Sequence, residues 1–181
     1  MILTSGNKVV YPSQGPCLIG PVVNIVIDGR PISFYRLALL DDSGGELFVP
    51  VDKAQTIGIR PLLNRSDIPK VLGLLEEPPG ADKDWQRRAN DNFKLLTSGS
   101  AFDLAEVVKS LTRLSEKKTL SFRESRTLEK ARKLLIGEIS EALGETKSAA
   151  EEQIDEALKV RKSESSPLWH GRKRQWTESE D

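Results

Sequence analysis

The feature that most limits how this chain can fold is a change of hydrophobic period near Arg60. From Lys8 to that point, β-branched and aromatic residues recur in the short runs KVVYP, CLIG, VVNIVI, ISFYRLALL and ELFVPV, broken by Pro and Gly. This is strand composition. Asp28-Gly29 is a two-residue hairpin signal that needs positive φ angles, and the stretch from Asp41 to Gly45 marks a looser turn. Four or five short strands so closely spaced predict a small curled antiparallel sheet of the SH3-like or Tudor-like kind, since closure limits exposed edges.

Beyond Arg60 the apolar spacing becomes helical. Ile68, Val71, Leu72 and Leu75 share one face of a predicted helix capped by Ser66, with Pro69 in its first turn and Pro78-Pro79-Gly80 after its end. Asp84 is the expected cap of a second helix whose Trp85, Ala89, Phe93 and Leu96 form the apolar row. Leu104, Val107, Val108, Leu111 and Leu114 give a third stripe. Ser121 with Glu124 forms a capping box for a long helix with Leu128, Ala131, Leu135, Ile139 and Ala142 inward, and Ser148 with Glu151 repeats that pattern before Ile154 and Leu158. The expected class is therefore α+β by domain: a small antiparallel β-barrel over residues 1–62, an all-α bundle over 63–160 and a flexible polar tail over 161–181.

The inventory of reactive side chains is thin. The chain has 181 residues with one Cys, Cys17, and one His, His170, which leaves no disulfide framework, no paired-cysteine zinc site and little for His-based catalysis. Gly44-Gly45 lacks the spacing of a nucleotide-binding loop, and Asp41-Asp42 and Glu76-Glu77 are adjacent pairs rather than opposed carboxylates. Neither an enzyme nor a cofactor is expected. The N-terminal MILTSGNKVV lacks the pattern of a secretory signal and no apolar run is long enough to span a bilayer, so a cytoplasmic protein without a membrane partner is expected.

Lys plus Arg and Asp plus Glu both number 27, yet the charge is segregated. Between Lys83 and Lys133 thirteen basic residues, Lys109 and Arg113 among them, face seven acidic ones; between Leu134 and Leu158 seven acidic residues face one Lys. A basic helical stretch is the electrostatic footprint of a phosphate-binding face, although Lys and Arg on bundle helices are also commonly solvated or paired. Trp85 opens a predicted helix just before Arg87 and Arg88. A flat apolar ring beside two guanidinium groups suits a wedge against a base step, and its spacing from Ala89 and Phe93 equally suits core packing. Trp169, His170, Arg172, Lys173, Arg174 and Trp176 in the tail read as solvated, with nucleic acid or an acidic partner as the alternative.

The blocks NKVVYPSQG, FVPVDKAQTIGIRPLL, DWQRRANDNFKLLTSGS, FDLAEVVKSLTRL and LSFRESRTLEKARKLLIGEI, in this order and spacing, resemble the CarD/CdnL family of bacterial transcription regulators from about Leu3 to Leu158. The resemblance implies an N-terminal Tudor-like barrel docked on the RNA polymerase β subunit, edge strand against edge strand, and a helical domain touching promoter DNA at the upstream edge of the transcription bubble. On that footing Trp85 is expected in the minor groove, with Arg87 and Arg88 beside it. Lys94, Arg123 and Arg126 are added as phosphate contacts from charge and spacing. Ile25, Ile27, Leu47, Phe48 and Val49 are the expected polymerase-binding residues. Some relatives carry a further basic residue where Asn90 stands, and Arg on two barrel strands where Ile25 and Phe48 stand, which implies weaker DNA contact and a more apolar polymerase interface here. The expected protein is a monomer, nucleoid-associated through polymerase, that stabilises the promoter open complex. The alternative is a polymerase-binding adaptor whose helices bind another protein.

Overall fold

The computed structural model describes residues 3–41, 43–77 and 85–164, with side chains described for 3–41, 43–77 and 91–159. An antiparallel sheet of five strands comes first: β1 (Lys8–Tyr11), β2 (Gly15–Ile27), β3 (Arg30–Leu39), β4 (Glu46–Pro50) and β5 (Arg60–Pro61), in the order β4-β3-β2-β1-β5. The sheet curls around Val9, Cys17, Ile19, Tyr35, Leu37 and Val49, but β4 and β5 do not pair with each other, and among the described residues no strand pairs with the outer edge of either. The expected runs CLIG and VVNIVI merge into the single strand β2. Gly20-Pro21 is absorbed as a register shift between Ile19 and Val22, because a bulge accommodates a residue pair that cannot complete the ladder. The hairpin turn is as expected, with φ of 50° at Asp28 and 74° at Gly29, the two positive angles that an Asp-Gly pair adopts at low cost.

A short helix, α1 (Ala54–Ile57), follows β4 within a stretch that reads as strand and turn in the sequence. The helical region holds α2 (Ile68–Glu76), α3 (Trp85–Thr97), α4 (Ala101–Lys117), α5 (Phe122–Leu143) and α6 (Lys147–Glu164). Its core is built by Val71 and Leu75 of α2, Val107, Val108 and Leu111 of α4, Leu135 and Ile139 of α5 and Ile154 of α6, all fully buried.

Several boundaries differ from expectation. Ser66 does not cap α2; it lies in a 3-10 turn (Arg65–Asp67) that leads into it, and Pro69 occupies the first turn where its missing N–H costs nothing. The capping box at Ser121 and Glu124 is present, with both reciprocal hydrogen bonds formed. At α6 the hydroxyl of Thr146, not Ser148, accepts a first-turn N–H, that of Ala149 at 3.2 Å. The same helix runs to Glu164, so residues 161–164 are helical rather than tail. Pro78-Pro79-Gly80, Asp84 and residues 165–181 lie outside the described residues.

Candidate polymerase edge and nucleic-acid interface

The strand pairing sorts the expected polymerase contacts by side. Cross-strand partners share a face, so the pairs Val23–Phe34, Ile25–Ile32, Phe34–Pro50 and Arg36–Phe48 place Ile25, Ile27, Ile32, Phe34 and Phe48 together on the outer surface. Ile25, Ile27 and Phe48 are between 41% and 49% exposed, a contiguous apolar area of the kind that marks a protein contact. Leu47 and Val49 point the other way. Val49 is 3% exposed in the sheet core and Leu47 packs against it, so neither side chain is presented to a partner. The ion pair of Arg36 with Glu46 borders the outer face. Its hydrogen bond holds the Glu46 carboxyl below its ordinary range and raises Arg36 in turn.

The edge itself has a definite donor pattern. Leu39 N–H donates to Gly45 O at 2.8 Å and Val51 N–H to Ser33 O at 3.0 Å. Alternation along an antiparallel ladder then turns the N–H groups of Leu47 and Val49 toward β3 and those of Glu46 and Phe48 toward the open side.

The helical region presents its cations unevenly. Lys109 and Arg113, one turn apart on α4, are buried, with Lys109 Nζ 2.7 Å from Glu106 and Arg113 Nη1 3.4 Å from Glu116. Arg132 is committed to Asp155 at 2.8 Å and Glu151 at 3.1 Å. These three belong to the fold, and the basic stretch is therefore less available than its composition implies. Lys94, in the last turn of α3, and Arg123, in the first turn of α5, are exposed and make no ion pair within the described residues. Arg126, one turn further on, is exposed and 3.5 Å from Glu129. Helix α3 packs against both α4 and α5, which brings the elements carrying Lys94, Arg123 and Arg126 together. Trp85 begins α3, and Arg87 and Arg88 follow in its first turn; their side chains lie outside the described ones.

Among the described side chains of α3 and α5, two aromatic rings stand in solvent. Phe122, at the start of α5, is 81% exposed, and the Arg126 guanidinium carbon lies 5.9 Å from its ring centre. Phe93 of α3 is 56% exposed, whereas the expected apolar row placed it inward. Among the described side chains of α3, the buried ones are Asn92 and Leu96. At 3.6 residues per turn Phe93 stands about 100° around the helix from Asn92 and about 60° from Leu96, so a buried face centred on those two leaves it at the margin. The sequence reading did not single out Phe122 as a contact.

Residues 3–63 match the family model described as the CarD-like/TRCF RID domain, and residues 70–155 match that described as CarD, C-terminal domain. The chain belongs to the CarD family. It is also 24% identical over 143 residues to the Bacillus subtilis (strain 168) protein named "Putative transcription factor YdeB", covering 78% of this chain and 92% of that one. As a CarD-family member the chain is a transcription regulator related to RNA polymerase. Among the described residues no cluster of His, Cys, Asp or Glu could hold a metal ion, and no helix is long and apolar enough to cross a membrane.

Proposed function

We propose that this CarD-family protein binds the RNA polymerase β subunit through the free edge of β4 and the apolar outer face of the sheet, and stabilises the promoter open complex with the α3 and α5 end of its helical region. The observation that carries the reading is the pairing of an open, partly apolar sheet edge with a separate surface at the start of α5 where Phe122, Arg123 and Arg126 are exposed, with Lys94 exposed on the neighbouring helix α3. The edge suits strand addition, in which backbone groups give affinity and outward side chains give specificity. The other surface suits DNA, where cations meet phosphates and a flat ring meets an unstacked base step. In this reading Trp85 is the wedge and Arg87 and Arg88 flank it.

Holding the sheet on polymerase raises the effective concentration of the helical surface at the promoter, so individually weak contacts suffice. Inserting a ring costs less where the stack is already broken, which favours the opened promoter over the closed one. A difference of about 1.4 kcal/mol shifts that ratio tenfold.

The test is an open-complex lifetime assay with bacterial RNA polymerase, comparing wild type with Trp85→Ala. A shortened lifetime with unchanged polymerase binding and helical content supports the wedge; a variant that melts assigns Trp85 to the core. A second reading, a protein adaptor, is favoured by Phe93 and Phe122, whose exposed rings suit a protein surface as well as DNA. Footprinting separates the two, since an adaptor gives no Trp85-dependent protection of promoter DNA.

A further inference from the structure

Helix α5 belongs to both halves of the molecule. Its 22 residues make a rod of about 33 Å at 1.5 Å per residue. One end carries Phe122, Arg123 and Arg126. The other is fastened to the sheet and to the segment after it along the side bearing Lys133, Leu134, Gly137, Glu138 and Glu141. Lys133 Nζ is 3.6 Å from Asp41, beside the β3–β4 turn, and Lys8 of β1 is 2.6 Å from Glu141. Gly137 lies against Pro16, so closely that a Cβ there would be 3.6 Å from the proline ring. Arg65 donates to the last carbonyls of the helix, those of Ala142 and Leu143.

At the centre of this contact is Glu138, 1% exposed. Both its oxygens accept from Arg60 of β5, at 2.6 and 2.8 Å, and one also accepts the Leu63 N–H at 3.0 Å. The same Arg60 turns its Nε to the carbonyl of Gly99, between α3 and α4. One guanidinium thus ties β5 to α5 and to the α3–α4 junction. A buried carboxylate is costly unless its lone pairs are filled, and here they are filled by groups from the sheet side.

We propose that the Arg60–Glu138 pair is a positioning device for the regulator: it makes the sheet and the helical region one rigid body, so that α5 holds the DNA-facing end at a fixed distance and angle from the polymerase-bound edge. This rests on the function proposed above and goes beyond tethering. A flexible tether gives proximity, whereas a rigid strut also gives orientation, which determines whether the contacts form in the open complex together or in competition. Glu138 and Arg60 act through geometry and touch neither partner.

The experiment uses the full chain. Nitrogen-15 relaxation of wild type is expected to give one tumbling time for sheet and helices, and that of Glu138→Gln two. Polymerase capture stays unchanged, and open-complex lifetime falls by at least about fivefold, the low end of coupling between two sites. Should Glu138→Gln melt, Lys8→Ala with Arg65→Ala loosens the rim of the same contact without leaving a buried charge, and the same readouts apply. In the loosened variant, Asp41→Cys with Lys133→Cys joined by a short thiol-reactive bis-maleimide linker is expected to restore both the single tumbling time and the lifetime. A purely structural role would not be rescued in this way. Cys17 does not compete, because it is fully buried and burial pushes its thiol up to about 11. Two tumbling times with an unshortened lifetime, or no rescue by the linker, overturn the proposal. A wild type that does not lengthen the lifetime at all overturns the function on which it rests, and is recognised before any substitution is made.

Discussion

The guanidinium of Arg126 sits 5.9 Å above the ring of Phe122, a residue that is 81% exposed and contributes nothing to either hydrophobic core. A cation over an aromatic face at an exposed site is worth about 0.5–1 kcal/mol, too little to account for leaving so large an apolar ring in water. The pairing makes better sense as a prepared contact, with ring and charge meeting the same ligand. Phe122→Ala is expected to leave the melting temperature within a degree or two, as surface changes do, and to shorten open-complex lifetime severalfold. Phe122→Ala with Arg126→Ala should cost less than the sum of the single changes, because the two side chains touch. Thermal melting and lifetimes of the three variants check this.

Phe48 and Val49 are chain neighbours on opposite sides of β4, and so give opposite phenotypes. Val49→Ala removes buried apolar surface and is expected to cost about 2 kcal/mol of sheet stability. Phe48→Ala removes an exposed ring and should leave stability nearly unchanged while weakening capture of polymerase. Urea unfolding beside a pull-down with the β subunit distinguishes them.

Proline substitutions test the edge directly. Phe48→Pro deletes an N–H that faces the open side of β4, whereas Val49→Pro deletes one bonded to β3. The expected result is that Phe48→Pro folds and loses β-subunit capture well beyond Phe48→Ala, while Val49→Pro unfolds the sheet. If Phe48→Pro and Phe48→Ala capture polymerase equally, backbone pairing at this edge is not the mode of binding.

Much of this architecture was legible because local signals and tertiary packing agree. Asp28-Gly29 specifies its turn whatever surrounds it, Ser121 with Glu124 specifies its capping box, and the stripe from Leu104 to Leu114 admits one buried face. What could not be read depends on a second element. Gly20-Pro21 resembles a strand break until β3 is present to hold the strand across the bulge. Lys109 and Arg113 count as surface charge until the rest of the helical region packs over α4. Glu138 carries no motif at all; its role exists only where β5 meets α5. Phe122 had a usable signal, since at 3.6 residues per turn it stands about 120° around α5 from the inward Leu128.

The division of the basic residues into buried and exposed sets leads to a prediction about salt. Each phosphate neutralised by a protein cation releases counterions, and the logarithm of affinity then falls with the logarithm of salt by about 0.9 per contact. Lys94 and Arg123 are exposed and make no ion pair within the described residues, so they are available to phosphates, while Lys109 is held against Glu106 inside the fold. Lys94→Ala and Arg123→Ala are each expected to reduce the salt slope of promoter stabilisation by roughly 1, with little dependence on base sequence. Lys109→Met removes the same formal charge from the same stretch. It is expected to change melting temperature, because it strands Glu106 without its partner, and to leave the slope alone. Lifetimes measured across a series of potassium glutamate concentrations give all three slopes. Equal reductions for Lys94, Arg123 and Lys109 would mean that net charge, rather than the exposed cations, governs the encounter with DNA.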